Sequence, residues 1–515
     1  MINRKHLKIN STFILKVCLL SLLSICFLMV KPIFTYDGVW YLGYMDYLDG
    51  TLPFNEWNNI RGFVYPIILY FGYLLNIQNG IGINSVFLLF YLIMFYYILK
   101  IIDLYRKDIW KNTKYIWIDY IIATFTIALN PYIWGYYHIV LTESISFTFL
   151  VVFFYYSLVW GMQRLQGEDN IGKYVMYSLF SAVMLILAYF LKQSYFGIVI
   201  FILIGMEILF IIVKKEKKQI IYCVCLWTFL AVTMVGTVKI WNANTTKDET
   251  SYIASQVSRL RYFLKENNWL YDQKQTVSII DDNEEVIEQF EYEFGQGIID
   301  GVEYILFCIF QNPERVISGW IDNYLTLCGI YQVPVNEQYD LSAGQVLKDD
   351  IYTNIFGINE KGSISVENKT LASGAVMYGV DMEKRARDIK ESMSKWGTYY
   401  SEKINNFQYY TGGNTIAKCI NNPVSLWLTC VSYTLFLLLT PIYLIYIIIR
   451  MIKKKNIEED LGEFIAVCFG TLYLMMMAML GQIIDRYVMQ VYVINLVVFI
   501  ILIGKVLSCY TKNTN

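Results

Sequence analysis

Long apolar runs alternate with short polar segments along most of this chain. A run of about 17–25 apolar residues is long enough for a helix to cross the hydrocarbon core of a bilayer. We identify ten such runs, which predict an all-α polytopic membrane protein with about ten transmembrane helices. The predicted spans are Phe13–Val30, Asn84–Ile102, Tyr115–Leu129, Glu143–Trp160, Tyr174–Leu191, Tyr195–Val213, Gln219–Lys239, Val424–Ile449, Phe464–Leu480 and Tyr487–Gly504.

Three further apolar segments are too short to be assigned as spans. Val64–Leu75 precedes the glycines at 80 and 82, and its length suits a helix lying along the membrane interface. Ile298–Phe310 and Val316–Cys328 are hinged near Asn312-Pro313. These two segments form either membrane-facing helices or a short hairpin. Both options leave the chain on the same side of the membrane, so the orientation of the later spans is unchanged.

The distribution of Lys and Arg predicts the orientation of the spans, because basic residues concentrate in cytoplasmic loops. With a cytoplasmic N-terminus, the basic clusters fall inside, at Arg106–Lys114, Gln163–Lys173, Lys214–Lys218, Arg450–Lys455 and the C-terminal tail 505–515. The segments 33–83, 130–142, 192–194 and 481–486 then lie outside. We therefore expect both termini in the cytoplasm and the large polar region 240–422 outside.

Composition supports this organisation. The chain is 56% hydrophobic and 17% charged, with a mean hydropathy of +0.42, which is typical of membrane proteins rather than soluble domains. Residues 243–422 carry 26 acidic and 16 basic side chains, so the charges outside this segment are net basic. An acidic region between basic membrane segments argues against a nucleic-acid partner.

We divide the chain into three regions. Residues 1–239 form an N-terminal membrane domain whose first external loop spans 31–83. Residues 240–422 form an extracytoplasmic soluble insert, mixed or mainly helical, with a helical stretch at Asp381–Asn405. Residues 423–515 form the C-terminal transmembrane helices.

The cysteines and the N-terminus bear on the compartment. Ten Cys are scattered, several of them inside apolar runs, and their spacing predicts neither a disulfide framework nor a zinc site. No small-residue cleavage motif follows Phe13–Val30, so we expect an uncleaved first span. This pattern suits a multi-pass protein of a bacterial plasma membrane.

The first external loop holds the most informative polar residues. Asp37 and Tyr41 follow the first span closely, and Arg61 lies further along the same loop, before Tyr65-Pro66. Ionisable groups at a membrane boundary are costly and commonly mark functional sites. The alternative is that Asp37 only caps the next helix. Of the aromatic residues in this loop, Trp40, Tyr44 and Trp57 are candidates for stacking on a sugar.

Other polar residues are predicted at the same face of the bilayer. Glu143 opens the fourth span, Lys192 follows the fifth, and Arg486-Tyr487 opens the last. Each of these residues also has a purely structural interpretation. Glu143 would interact favourably with the dipole at the start of its helix, Lys192 would extend its charge to the membrane interface, and Arg486 would pair with Asp485. His138 is interpreted as an interfacial residue. Together the carboxylates suit proton transfer and the cations suit binding of a phosphate.

In their order along the chain these motifs resemble GT-C fold glycosyltransferases. The similarity is greatest to the branch of protein O-mannosyltransferases and lipid A aminoarabinose transferases, which use polyprenyl-phosphate sugars. It is carried by Asp37-x-x-x-Tyr41, Tyr65-Pro66, the acid Glu143 after Asn130-Pro131, Lys192 and Arg486-Tyr487. It covers the membrane regions, and no motif of the insert contributes to it.

The resemblance implies a metal-independent, inverting transfer of a sugar from polyprenyl phosphate to a saccharide, lipid or protein acceptor. Asp37 is implied as the catalytic base, whereas Tyr41, Arg61, Glu143, Lys192, Arg486 and Tyr487 are implied to bind substrate or phosphate. Many relatives carry a second acid where this chain has Gly38, and without paired acids we expect no metal and no cofactor besides the donor.

Three alternatives stay open. A flippase or transporter for a lipid-linked saccharide would use the same cations, although the paired halves and broken helices of transporters are not evident in the sequence. An O-antigen polymerase or ligase also carries a large external loop, but depends more on Arg and His. A structural or receptor protein would leave the outward cations without a role.

Overall fold

A computed structural model of the chain describes residues 11–30, 32, 41–58, 61–75, 81–167, 171–191, 195–214, 217–245, 306, 310, 313–330, 416, 419–420, 422–453, 457–479 and 485–513. These residues form helices and connecting loops, with no β-strand among them. The helices are α1 (Ser11–Leu28), α2 (Met45–Leu48), α3 (Val64–Leu74), α4 (Ile81–Asp103), α5 (Ile116–Ala123), α6 (Pro131–His138), α7 (Thr142–Leu165), α8 (Ile171–Leu191), α9 (Phe196–Lys214), α10 (Lys217–Asn244), α11 (Pro313–Leu327), α12 (Pro423–Ile452), α13 (Ile457–Met479) and α14 (Asp485–Asn513).

Eight helices in the described part of the chain are long and apolar enough to cross a membrane: α4, α7, α8, α9, α10, α12, α13 and α14. They correspond to eight of the ten predicted spans, so the prediction of an all-α, multi-pass membrane protein is confirmed. The predicted span 13–30 is the shorter apolar helix α1. The interfacial segment predicted at 64–75 is helix α3.

The predicted span 115–129 is the least regular. A π-helical turn (Thr124–Ala128) extends α5, and the chain then bends by 58° into α6. The break occurs because Pro131 has no backbone N–H and begins a new helix, whose N-cap is Asn130. The Asn130 side chain accepts hydrogen bonds from Tyr132 N at 3.0 Å and Ile133 N at 3.4 Å. If α5 and α6 form one broken span, the described residues hold nine.

The core is built around α7 and α13, whose side chains are mostly buried, while α10 and α12 expose most of theirs. Helix α4 packs along α7, and α13 contacts α9, α12 and α14. A Cβ added at Gly161 of α7 would lie 2.8 Å from Leu461 of α13 and 3.1 Å from Met206 of α9. The small residue therefore lets three helices approach closely at the centre.

Ion pairs join the helices at one end of the bundle. Arg164 of α7 donates to both carboxylate oxygens of Glu207 in α9, at 2.7 and 3.2 Å, and to Gln219 Oε1 of α10 at 2.7 Å. All three side chains are buried. A paired and hydrogen-bonded charge can be tolerated inside a protein, whereas an isolated one cannot.

The same end of the bundle gathers the other predicted cytoplasmic loops. Arg106 pairs with Asp119 at 2.5 Å, Asn112 donates to Ser508 O at 3.2 Å, and Lys505 lies 3.3 Å from Asp460. Loops that the Lys and Arg distribution assigned to one side thus lie together. The first-loop end, which is the end of the bundle that carries residues 41–63, lies opposite.

Candidate functional site

Three residues of the first loop and α3 form a compact cluster, which we call the Tyr41 cluster: Tyr41, Arg61 and Tyr65. Arg61 Nη1 donates to Tyr41 Oη at 3.2 Å, and the guanidinium lies 5.0 Å from the centroid of the Tyr41 ring. The rings of Tyr41 and Tyr65 meet edge to face at 4.8 Å. The sequence predicted Tyr41 and Arg61 as site residues, and the structure brings them into direct contact.

The backbone of Arg61 is fixed by Trp57. The Trp57 indole N–H donates to Arg61 O at 2.9 Å. The Trp57 ring is fully buried and packs on Tyr44, Tyr47, Phe54 and Trp241, with centroid separations of 5.1–5.6 Å. A ring enclosed in this way has no free face for a sugar. Trp57 and the buried Tyr44 therefore hold the loop together, and Trp40 lies outside the described residues.

A glycine brings this loop against the end of α8. A Cβ added at Gly62 would lie only 2.0 Å from the carbonyl oxygen of Phe190 and 2.5 Å from its Cα. Any larger residue would push the loop away, since these are backbone atoms. Arg61 is thereby held beside the last turn of α8, directly before the predicted site residue Lys192, which lies outside the described residues.

Glu143 lies in the first turn of α7 and is completely buried. Its Oε2 accepts a hydrogen bond from Thr142 Oγ1 at 3.3 Å. Burial raises the pKa of Tyr65 well above its usual range, and the nearby Tyr41 and Glu143 raise this pKa further. Glu143 therefore contributes to the electrostatic environment of Tyr65.

The environment of the Tyr65 hydroxyl was not predicted from the sequence. Its side chain is fully buried, and its hydroxyl has no hydrogen-bond partner among the described residues. Burying such a group without a partner costs about 1–3 kcal/mol. The raised pKa keeps the phenol protonated, so the hydroxyl is a donor. The Tyr65-Pro66 motif was visible in the sequence, but only the fold reveals that the hydroxyl is unsatisfied.

The start of α14 is joined to the start of α7 by Gln490. This fully buried side chain donates from Nε2 to Ser146 Oγ at 3.5 Å, and Ser146 Oγ donates to Glu143 O at 2.6 Å. Gln490 Oε1 has no partner among the described residues. Arg486 and Tyr487 lie one turn earlier on the same helix. The sequence analysis missed Gln490 because it lies within an apolar span.

A small apolar cavity, with space for about one water molecule, lies between the first-loop ends of α7, α8 and α9. Ser146 contributes a hydroxyl to its wall, and the surrounding side chains include Leu150, Ala188, Leu191 and Tyr195. Ser146 is less than one helical turn from Glu143.

Asp37 lies outside the described residues, but the helix that precedes it is firmly held. Asn84 Nδ2 donates to Val30 O at 2.7 Å. His138 Nε2 lies 3.1 Å from Phe27 O, and its Nδ1 lies 2.9 Å from Trp134 O. His138 is fully buried, which corrects our interpretation of it as an interfacial residue: it fixes the end of α1.

Comparison of this chain with protein-family models, with curated proteins and with solved structures found no match.

Proposed function

We propose that the chain is a membrane glycosyltransferase of the GT-C type, which moves a sugar from a polyprenyl-phosphate donor to an acceptor outside a bacterial plasma membrane. The observation that carries this proposal is the Tyr41 cluster, in which Arg61 contacts Tyr41 and the buried Tyr65 hydroxyl has no partner among the described residues. A cation and a phenol donor at one end of a bundle of apolar helices suit a substrate with an anionic headgroup and a hydrocarbon chain.

Arg61 is the proposed phosphate ligand. A guanidinium can bind two phosphate oxygens with parallel hydrogen bonds, and contact with Tyr41 fixes its plane. Lys192 and Arg486 are proposed to complete the positive charge around the phosphate, and Tyr487 to line the same site. The Tyr65 hydroxyl would donate to a phosphate or sugar oxygen, which would satisfy a donor that otherwise lacks a partner.

The proposed reaction is a single displacement. The acceptor hydroxyl oxygen forms a bond to the anomeric carbon while the bond from that carbon to the lipid-phosphate oxygen breaks, with the electron pair leaving on the phosphate. Asp37 takes the hydroxyl proton, a contribution of about 10²–10⁴-fold for a positioned base. Arg61, Lys192 and Arg486 stabilise the charge on the leaving phosphate, so no divalent metal is required. One displacement inverts the anomeric centre.

The test is a transfer assay in membranes, with radiolabelled polyprenyl-phosphate sugars as donors. We expect wild-type protein to transfer label to an acceptor, Asp37→Asn to lose transfer, and EDTA to have no effect. Asp49→Asn is the matched control in the same loop, because an amide oxygen can keep the hydrogen bond from Thr51 N. Transfer by Asp37→Asn at the wild-type rate would refute the mechanism. Movement of labelled lipid across the bilayer without transfer would favour a flippase instead.

A further inference from the structure

Helix α11 is attached to the membrane helices by three hydrogen bonds. Asn323 Nδ2 donates to Ala478 O of α13 at 2.8 Å, and Tyr324 Oη donates to Leu437 O of α12 at 2.9 Å. In the other direction, Tyr433 Oη of α12 donates to Leu327 O at 3.0 Å. This helix lies in the insert and overlaps Val316–Cys328, which the sequence analysis expected to be a membrane-facing helix or part of a short hairpin, and its partners are backbone and side chains of two candidate spans.

The Tyr324 contact has a specific cause in the sequence of α12. Proline has no backbone N–H, so Pro441 cannot donate to the carbonyl four residues earlier in its helix, which is that of Leu437. An unpaired carbonyl inside a bilayer is expensive, and neighbouring helices commonly supply the missing donor. The Tyr324 hydroxyl is that donor here, and it also lies 3.2 Å from Leu438 O.

The position of Leu437 shows how deep α11 reaches. It lies about ten residues inside the candidate span Trp427–Ile452, or about 15 Å along the helix axis at 1.5 Å per residue. The contact with Tyr324 therefore lies within the length of α12 that can cross a membrane.

Helix α11 has three different flanks. Val316, Asn323 and Leu327 are buried against the bundle. Ile317 and Ile321, one turn apart, are 50% and 53% exposed. Glu314, Ser318 and Asp322, also spaced by one turn, form an exposed polar flank. A helix with protein on one flank, an apolar second flank and a polar third flank is typical of a membrane–water boundary.

We propose that α11 is partly inserted in the membrane, at the first-loop end, beside α12 and α13. Ile317 and Ile321 contact lipid acyl chains, and Ser318 and Asp322 face water. This inference does not depend on the proposed glycosyl transfer.

The test compares two neighbouring positions on different flanks, with full-length protein in vesicles whose first-loop end faces outward. Ile321→Cys and Asp322→Cys are treated with a membrane-impermeant maleimide, and the wild-type protein is photolysed with a diazirine-bearing phospholipid. Modified peptides are identified by mass spectrometry, which separates them from native cysteines. We expect label on Asp322→Cys, none on Ile321→Cys until detergent is added, and a lipid adduct on the Ile317–Ile321 peptide.

Three results would overturn the proposal. Equal labelling of the two cysteines in intact vesicles would place both flanks in water. An unlabelled Asp322→Cys would mean that the polar flank is covered. A shielded Ile321→Cys without a lipid adduct would mean that protein, rather than lipid, covers the apolar flank.

A double-mutant cycle tests the role of the freed carbonyl separately. Pro441→Ala restores an N–H that can bond to Leu437 O, so Tyr324→Phe should lower the Tm less in that background than in the wild type. An equal loss of Tm in both backgrounds would show that docking does not depend on the carbonyl freed by Pro441.

Discussion

The contact between Gly62 and Phe190 leads to the sharpest prediction about the site. In Gly62→Ala the new Cβ would lie 2.0 Å from Phe190 O, whereas ordinary contact begins near 3.4 Å. The loop and the end of α8 must therefore separate by up to about 1.4 Å. Backbone atoms cannot rotate out of the way as a flexible side chain can, so the strain is shared between the loop and α8.

Two measurements follow from this displacement. Overpacking of a filled site costs about 1–3 kcal/mol, so the thermal unfolding midpoint of purified Gly62→Ala should fall. A shift of about 1 Å in a positioning group can also lower a catalytic rate by about 10²-fold. We expect a loss of this order in the transfer assay, because Arg61 and the loop that carries it move away from the end of α8.

Gly236→Ala is the matched control. This glycine lies inside α10, and an added Cβ meets no atom within 4 Å. Alanine is favoured over glycine in a helix by about 1 kcal/mol, so this variant should be at least as stable as wild type and equally active. Wild-type stability and activity in Gly62→Ala would refute the close contact. Lost stability with full activity would instead refute the positioning role of the loop.

Three other predictions, the second with its own control variant, test separate parts of the structure. Tyr65→Phe removes a buried hydroxyl that has no partner among the described residues. The free energy of unfolding should stay the same or rise by up to about 1–3 kcal/mol, while the transfer rate falls. A lower Tm would show that the hydroxyl already has a hydrogen-bond partner. Glu207→Gln leaves Arg164 without its charge partner and should lower the free energy of unfolding by about 3–5 kcal/mol, measured by thermal unfolding. Glu459→Gln, at a partly exposed pair with Lys505, should lower the free energy of unfolding by less than about 1 kcal/mol, and equal losses for the two variants would contradict the argument from burial. Trp57→Ala should lower the free energy of unfolding by about 3–5 kcal/mol, because the ring is part of the core. Unchanged stability with weaker binding of the donor would instead support stacking of the ring on a sugar.

Much of the fold could be predicted from hydropathy, because a bilayer demands long apolar helices with internally satisfied backbones. Eight predicted spans overlap helices of spanning length, with ends that differ by up to seven residues. The predicted span ends at Leu129, where the structure bends, but helix α6 in the following external segment was not predicted, although Asn130-Pro131 is a strong helix-start signal.

The site was predicted less completely, for a physical reason. Tyr41, Arg61 and Glu143 were identified because charged or polar residues at a membrane boundary are conspicuous. Gln490 contacts Ser146 across 344 residues of sequence, and nothing in a single sequence indicates such a pair. The burial of Trp57 was likewise unpredictable, since it depends on Trp241 of a distant helix. Asp37, Lys192 and the predicted helix Asp381–Asn405 lie outside the described residues and stay predictions.

The central claim is that the Tyr41 cluster binds the phosphate of a lipid-linked substrate, and ligand-induced stabilisation tests it directly. Polyprenyl phosphate is titrated into purified protein while Tm is followed, since a ligand that binds only the folded state raises Tm. Losing a charge-assisted hydrogen bond costs about 1.5–3 kcal/mol, so Arg61→Gln should need about 10–100-fold more ligand for the same shift. Lys107→Gln, at the opposite end of the bundle, should behave as wild type. Identical titrations for wild type and Arg61→Gln would contradict the account.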